Sequence, residues 1–154
     1  MNIIFLDIDG VLNTDKTGAY YDNETIVEED KLILLKRLVE ETQSQIVLIS
    51  TKKVYWRKNN KDNQGDYGNY LDKTFAKYGL SIYDKTVDDG IHRGLGVLAW
   101  KAKNNAKNIV ILDDDEEGYD AITKTFYLVK ISNKIGLTKQ NLEKAKIILS
   151  KYLL

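Results

Sequence analysis

The run Ile3-Ile4-Phe5-Leu6 is apolar at every position and then stops abruptly at Asp7-Ile8-Asp9-Gly10. A strand with one wet face alternates apolar with polar residues, whereas a continuous apolar run suits a strand covered on both faces, the habit of parallel sheets. The pattern returns at Ile46-Val47-Leu48-Ile49 and at Ile109-Val110-Ile111-Leu112. Helical periodicity fills the stretches between. Residues 27–42 place Leu32, Leu35, Leu38 and Val39 on one face, 69–78 and 93–104 read as further helices, and 138–153 align Leu142, Ala145, Ile148, Leu149 and Tyr152. Shorter strands are expected at 80–83 and 126–131, and a polar segment rich in Lys, Asn and Asp at 52–68. Such alternation predicts a three-layer α/β fold, with a parallel sheet and helices on both faces. A chain of 154 residues forms one domain, 1–154, that buries roughly two-thirds of its unfolded surface.

Asp7 and Asp9 stand where the first strand ends, and strand alternation would point them the same way with Ile8 pointing back. Two like charges so placed repel unless a cation or a reaction uses both. Gly10 lets the chain turn at once, so the pair sits at the carboxyl end of a strand, where open α/β sheets bind their ligands. A second acidic cluster, Asp113-Asp114-Asp115-Glu116-Glu117-Gly118-Tyr119-Asp120, follows the later apolar run.

Several function classes drop out on composition. Lys plus Arg balance Asp plus Glu at 23 each, so no global field attracts a polyanion, and any such site must be local. Without cysteine there is no disulfide scaffold, thiolate metal site or Cys nucleophile, and the lone His92 cannot build a zinc centre. No apolar run approaches the ~18 residues of a membrane span, so a soluble, cytoplasmic protein is expected. From Asp113 the spacing imitates a calcium loop, but Lys124 falls where a bidentate Glu is required. Gly94-x-Gly96-x-x-Ala99 lacks a strand directly before it, so no dinucleotide cofactor is expected.

The stretch from Ile3 to Leu12, taken with the later acidic cluster, resembles the opening motif of the haloacid dehalogenase-like hydrolase superfamily: four apolar residues, Asp-x-Asp-Gly, then Val/Thr-Leu/Ile. The resemblance implies a Rossmann-like sheet, Asp7 as the nucleophile that attacks phosphorus, and Asp9 as general acid/base. The second motif of that family is a Ser or Thr just after an apolar strand, which Ser50 matches with Thr51 beside it; Ser50 would equally serve as a helix N-cap. For the third motif, a phosphate-holding Lys or Arg, the match is Arg93, since Lys101 and Lys103 lie too far along their helix. The last motif, an apolar strand followed by acids that complete a magnesium site, fits Asp113 and Asp114. The implied Mg²⁺ ligands are Asp7, the Asp9 backbone carbonyl, and Asp114 with Asp113 beside it, while Asp115 and Asp120 are weaker candidates.

An Asp two residues after the nucleophile marks the phosphohydrolases of the superfamily, so the expected reaction is phosphomonoester hydrolysis through an aspartyl phosphate. Neither interval between motifs reaches the ~50 residues of an independent cap domain, so the cleft should be open and suited to large substrates. The chain also looks like a small branch with Asp-Ile-Asp-Gly-Val-Leu-Asn, Ser-Ser-x-Trp-Arg, Arg-Gly-x-x-Ile and Leu-Asp-Asp-Asp, whose domains occur in RNA-repair proteins. It departs from that branch in placing Trp56-Arg57 several residues after Ser50-Thr51. The expected partner is a phosphorylated substrate, extending to nucleic-acid ends. The segment Lys52-Lys53-Val54-Tyr55-Trp56-Arg57-Lys58 interleaves cations with aromatics, as a strand-gripping surface does; its alternative is a solvated helix start with Val54 and Trp56 packed inward. Phosphatase action on a small metabolite or phosphoprotein is the rival reading. A non-catalytic phosphate-binding protein would be marked by a missing catalytic residue, and none of the four motifs lacks one.

Overall fold

A computed structural model of the protein describes residues 1–150. In chain order the elements are β1 (Asn2–Leu6), β2 (Tyr20–Tyr21), β3 (Glu24–Thr25), α1 (Glu29–Thr42), β4 (Ser44–Leu48), α2 (Asp66–Ala76), β5 (Ile82–Lys85), α3 (Arg93–Asn104), β6 (Asn108–Asp113), α4 (Lys124–Tyr127), β7 (Leu128–Lys130) and α5 (Lys139–Ser150). Five strands form one sheet in the order β5-β4-β1-β6-β7, with every neighbouring pair parallel. The chain winds outward from β1 through β4 to β5, then crosses back to lay β6 on the other flank of β1. The point where this order reverses lies between β1 and β6, and Asp7 and Asp113 stand at the ends of those two strands.

Burial explains the unbroken apolar runs. Ile4, Leu6, Ile46, Leu48, Val110 and Leu112 face a core completed by Leu32, Leu35 and Leu38 of α1, Leu71 and Phe75 of α2, and Leu142, Ala145 and Leu149 of α5. The alternate residues Ile3, Phe5, Val47, Ile49, Ile109 and Ile111 face Val97 and Trp100 of α3, with Tyr119 and Ile122. Both sheet faces are therefore dry, and a polar residue at any of these positions would lie buried without solvent. Of the inward face expected for α5, Tyr152 lies outside the described residues. No separate cap domain is present among the described residues, and none of their helices is long and apolar enough to cross a membrane.

Three expectations need correction. The strand expected at 126–131 is half helix: Lys124–Tyr127 forms one turn, α4, and only Leu128–Lys130 joins the sheet, because β7 is an edge strand paired with three residues of β6. The third strand runs over Ile82–Lys85 instead of 80–83. A two-stranded hairpin, β2–β3, was not expected at all. Its turn residues Asp22 and Asn23 both have positive φ, 50° and 64°, the geometry of a type I′ turn, so the Asp-Asn pair was the available signal.

Candidate active site

Asp7 follows the last residue of β1, and its N–H still bonds the carbonyl of Leu112 at 2.9 Å, which fixes it against β6. The residue is only 4% exposed. Asp113, the last residue of β6, is wholly buried, and Asp114 lies half-buried beside it. Each of Asp7, Asp113 and Asp114 offers a carboxylate oxygen within 4.8 Å of the others. Gly10 makes this crowding possible: a Cβ there would fall 2.3 Å from Asp114 Oδ2, and its φ of +83° suits glycine alone.

Arg93, the first residue of α3, brings the cation. Its Nη1 donates to Asp113 Oδ2 at 2.8 Å and lies 3.7 Å from Asp7 Oδ1. The Tyr119 hydroxyl donates to the same Asp113 oxygen at 2.5 Å, and the Asp115 N–H to the other at 3.0 Å. Burial, then the neighbouring charge of Asp113, pushes Asp7 well above the usual carboxylate range, opposed in part by Arg93. Asp114 is likewise raised by burial first. For Arg93 burial works the other way, but Asp7 and Asp113 outweigh it and hold the guanidinium charged. One guanidinium against three buried or half-buried carboxylates leaves the pocket short of positive charge, and an all-oxygen donor set suits Mg²⁺, so these residues fit the metal that the sequence implies.

Asp9 leans elsewhere. The strand ends at Leu6, so the two-residue alternation does not extend to Asp9, and its half-exposed carboxylate is not in the acidic cluster. Oδ1 of Asp9 instead accepts from Lys52 Nζ at 2.8 Å and from Asn13 Nδ2 at 3.0 Å. Asn13 is fixed in turn, since its Oδ1 accepts the Gly10 N–H at 3.0 Å and its amide also donates to the Ile26 carbonyl. A cavity of about 290 Å³ adjoins Asp9 and Asp114, lined by Asn13, Thr14, Thr17, Tyr20 and Asn133. A second, of about 600 Å³, opens beside Arg93 between the 90–93 and 115–120 loops.

Ser50 follows β4 and is buried, and its hydroxyl accepts the Lys52 N–H at 3.1 Å, capping a 3₁₀ turn at Thr51–Tyr55. Both roles expected of it remain geometrically open, because the cap leaves the hydroxyl proton free to donate. Thr51 is exposed. The strand-gripping surface expected from Lys52 to Lys58 is not assembled. Lys52 is 5% exposed and paired with Asp9, Lys53 bonds Asp88 at 2.6 Å, and Lys58 lies over the Tyr83 ring. Its alternative holds for Trp56, which is buried with Nε1 donating to Asp72 at 2.8 Å, but fails for Val54, which faces solvent. Arg57 is exposed.

His92 is exposed, and its Nδ1 meets Asp89 Oδ2 at 2.6 Å. Asp115 and Asp120 are exposed at the rim, Asp120 within 3.7 Å of Lys124. Gly94 and Gly96 serve packing: Gly94 lets α3 approach the backbone of Gly118 and Tyr119, and Gly96 fits against Asp88. Sequence reasoning missed Tyr119 as a partner of Asp113 and missed Lys52 and Asn13 as partners of Asp9.

A family model described as "HAD domain in Swiss Army Knife RNA repair proteins" matches residues 3–142. No curated protein compared with the chain matches it.

Proposed function

The chain belongs to the haloacid dehalogenase-like superfamily, in the group of such domains found in RNA repair proteins, and on that premise we propose that it is a magnesium-dependent phosphomonoesterase working through an aspartyl phosphate. The observation that carries this reading is the position of Asp7: buried at the end of the central strand, with the Arg93 guanidinium 3.7 Å away and Asp114 in the same acidic cluster.

In the first half-reaction an Asp7 carboxylate oxygen bonds to phosphorus while the ester P–O bond breaks, and Asp9 gives its proton to the departing oxygen. In the second, Asp9 takes a proton from water, the water oxygen bonds to phosphorus, and the Asp7–phosphorus bond breaks to release phosphate. Arg93, 3.7 Å from Asp7, is the candidate to hold two phosphate oxygens as the charge shifts, and Ser50 the candidate hydroxyl donor to a third. A magnesium ion held by Asp7, Asp114 and the Asp9 carbonyl would keep Asp7 ionised and offset the phosphate charge. Asp113 anchors Arg93 and would be the secondary metal ligand.

For the substrate we propose a phosphorylated nucleic-acid end. The RNA-repair association of the matched family and the uncapped cleft support it. Hydrolysis of nitrophenyl phosphate with magnesium, and with chelator in its place, tests the reaction itself. Activity should vanish with chelator and in Asp7→Asn, whose amide is nearly isosteric but cannot attack phosphorus. Near-normal turnover by Asp7→Asn would overturn the assignment.

A further inference from the structure

Lys52 looks from the sequence like one cation in a basic surface, yet it is almost wholly buried. Burying an ammonium is costly unless it is paired, and long side chains ordinarily keep their charge in water. The surroundings of Lys52 show what offsets that cost. Its Nζ lies 2.8 Å from Asp9 Oδ1, 3.4 Å from Glu24 Oε2 and 3.4 Å from the Thr25 carbonyl, and it sits 4.8 Å above the centre of the Tyr67 ring. Tyr67 is itself fixed, since its hydroxyl donates to the Thr25 carbonyl at 3.0 Å. The ammonium thus has carboxylates, a carbonyl and an aromatic face around it, and of the two carboxylates Asp9 is the nearer.

Both polar neighbours of Asp9 converge on one atom. Lys52 Nζ and Asn13 Nδ2 each donate to Oδ1, and no other donor to this carboxylate occurs among the described residues. An oxygen that already accepts from an ammonium and an amide is the one that stays unprotonated. The proton of the acid form then sits on Oδ2, the oxygen to which neither of them donates. We propose that Lys52 is a positioning residue for the general acid: with Asn13 it clamps Oδ1 of Asp9, so that Oδ2 alone carries and delivers the proton to the leaving oxygen. This rests on the phosphomonoesterase reading above and assigns a further residue to it. In the step, the Oδ2–H bond breaks as the P–O ester bond breaks; the proton goes to the leaving oxygen, and the new carboxylate charge is received on Oδ1 by a cation already in place.

A positioning role and a merely structural one part company on the leaving group. Proton donation matters for a poor leaving group, such as an alkyl alcohol, and hardly at all for nitrophenolate. In Lys52→Met, which keeps a side chain of similar length without the charge, the loss of kcat on benzyl phosphate should be roughly 10- to 100-fold, the scale of a misplaced catalytic group, and at least about tenfold larger than the loss on nitrophenyl phosphate. In the double variant with Asp9→Asn, Lys52→Met should add almost nothing on benzyl phosphate, because a clamp has no effect once the acid is gone. Lys52→Arg, which retains a cation, should keep a smaller difference between the two esters than Lys52→Met, and it serves as the reporter if Lys52→Met does not fold. Equal losses on both esters, additive losses in the double variant, or a Lys52→Arg as discriminating between esters as Asp9→Asn would overturn the proposal. A wild-type protein inert toward both esters would instead defeat the phosphomonoesterase reading on which it stands.

Discussion

Both oxygens of Asp113 are engaged within the protein, one by Arg93 and Tyr119 and the other by the Asp115 N–H, whereas Asp114 reaches over Gly10 toward Asp7. Two adjacent residues of one type are thereby given different work. Asp114→Ala should raise the magnesium concentration needed for half-maximal rate more than Asp115→Ala does, and a metal titration of both variants checks it. The reverse order would shift the metal register by one residue. His92 offers a second measurement, because it is the only histidine and its signals are unambiguous. The Asp89 carboxylate, through its hydrogen bond and then its charge, raises His92 above its ordinary value of 6.5. Since the folded value is raised, this ion pair is fully present below the ordinary imidazole pKa and is lost as pH rises through the raised one. An NMR titration should show that elevation, and Asp89→Asn should return it toward 6.5. An unchanged midpoint in the variant would remove Asp89 as the cause.

At the level of elements, turns decide where the acids go. Gly10 holds φ at +83° directly after the acidic pair, and a Cβ there would strike the Asp114 carboxyl. Gly10→Ala should cost roughly 1–2 kcal/mol from conformation alone, read in a urea titration, and should also raise the magnesium concentration needed for half-maximal rate by displacing Asp114. The strands and long helices were legible because their signal is local: an apolar run for β1, β4 and β6, a 3.6-residue stripe for α1 and α5. Short edge elements were not. Three residues of β7 carry little pattern of their own, and Phe126 and Tyr127 favour a strand by type while the chain winds them into a turn of helix. The hairpin was hidden because two-residue strands show no alternation; only its Asp-Asn turn could have marked it.

On the scale of the whole molecule, the lysines of the 52–61 segment are neutralised pairwise. Lys53, Lys58 and Lys61 each have a carboxylate within 4 Å, in Asp88, Asp84 and Asp72, and Lys52 is withdrawn into the site. A sequence lists cations without their partners, which is why the segment read as a basic surface, while the acids at strand ends were legible because their position alone implied use. The consequence is a weak polyelectrolyte character. If a terminally phosphorylated oligonucleotide is the substrate, the slope of log KM against log salt should correspond to fewer than about two phosphate contacts beyond the scissile group. A steeper slope would require a basic surface elsewhere than the 52–61 segment. The winding of the sheet has another outcome. Asp7, Asp9, Asn13, Ser50 and Lys52 come from the first 52 residues, Arg93, Asp113, Asp114 and Tyr119 from the remainder, and the two sets meet where β6 docks on β1 and α3 begins. An early-forming half built on β1 and β4 would hold the proposed nucleophile and acid, Asp7 and Asp9, yet lack Arg93, the proposed phosphate-holding cation. Catalytic competence is therefore an all-or-none reporter of long-range closure, silent toward partial assemblies that spectroscopy would already score as ordered.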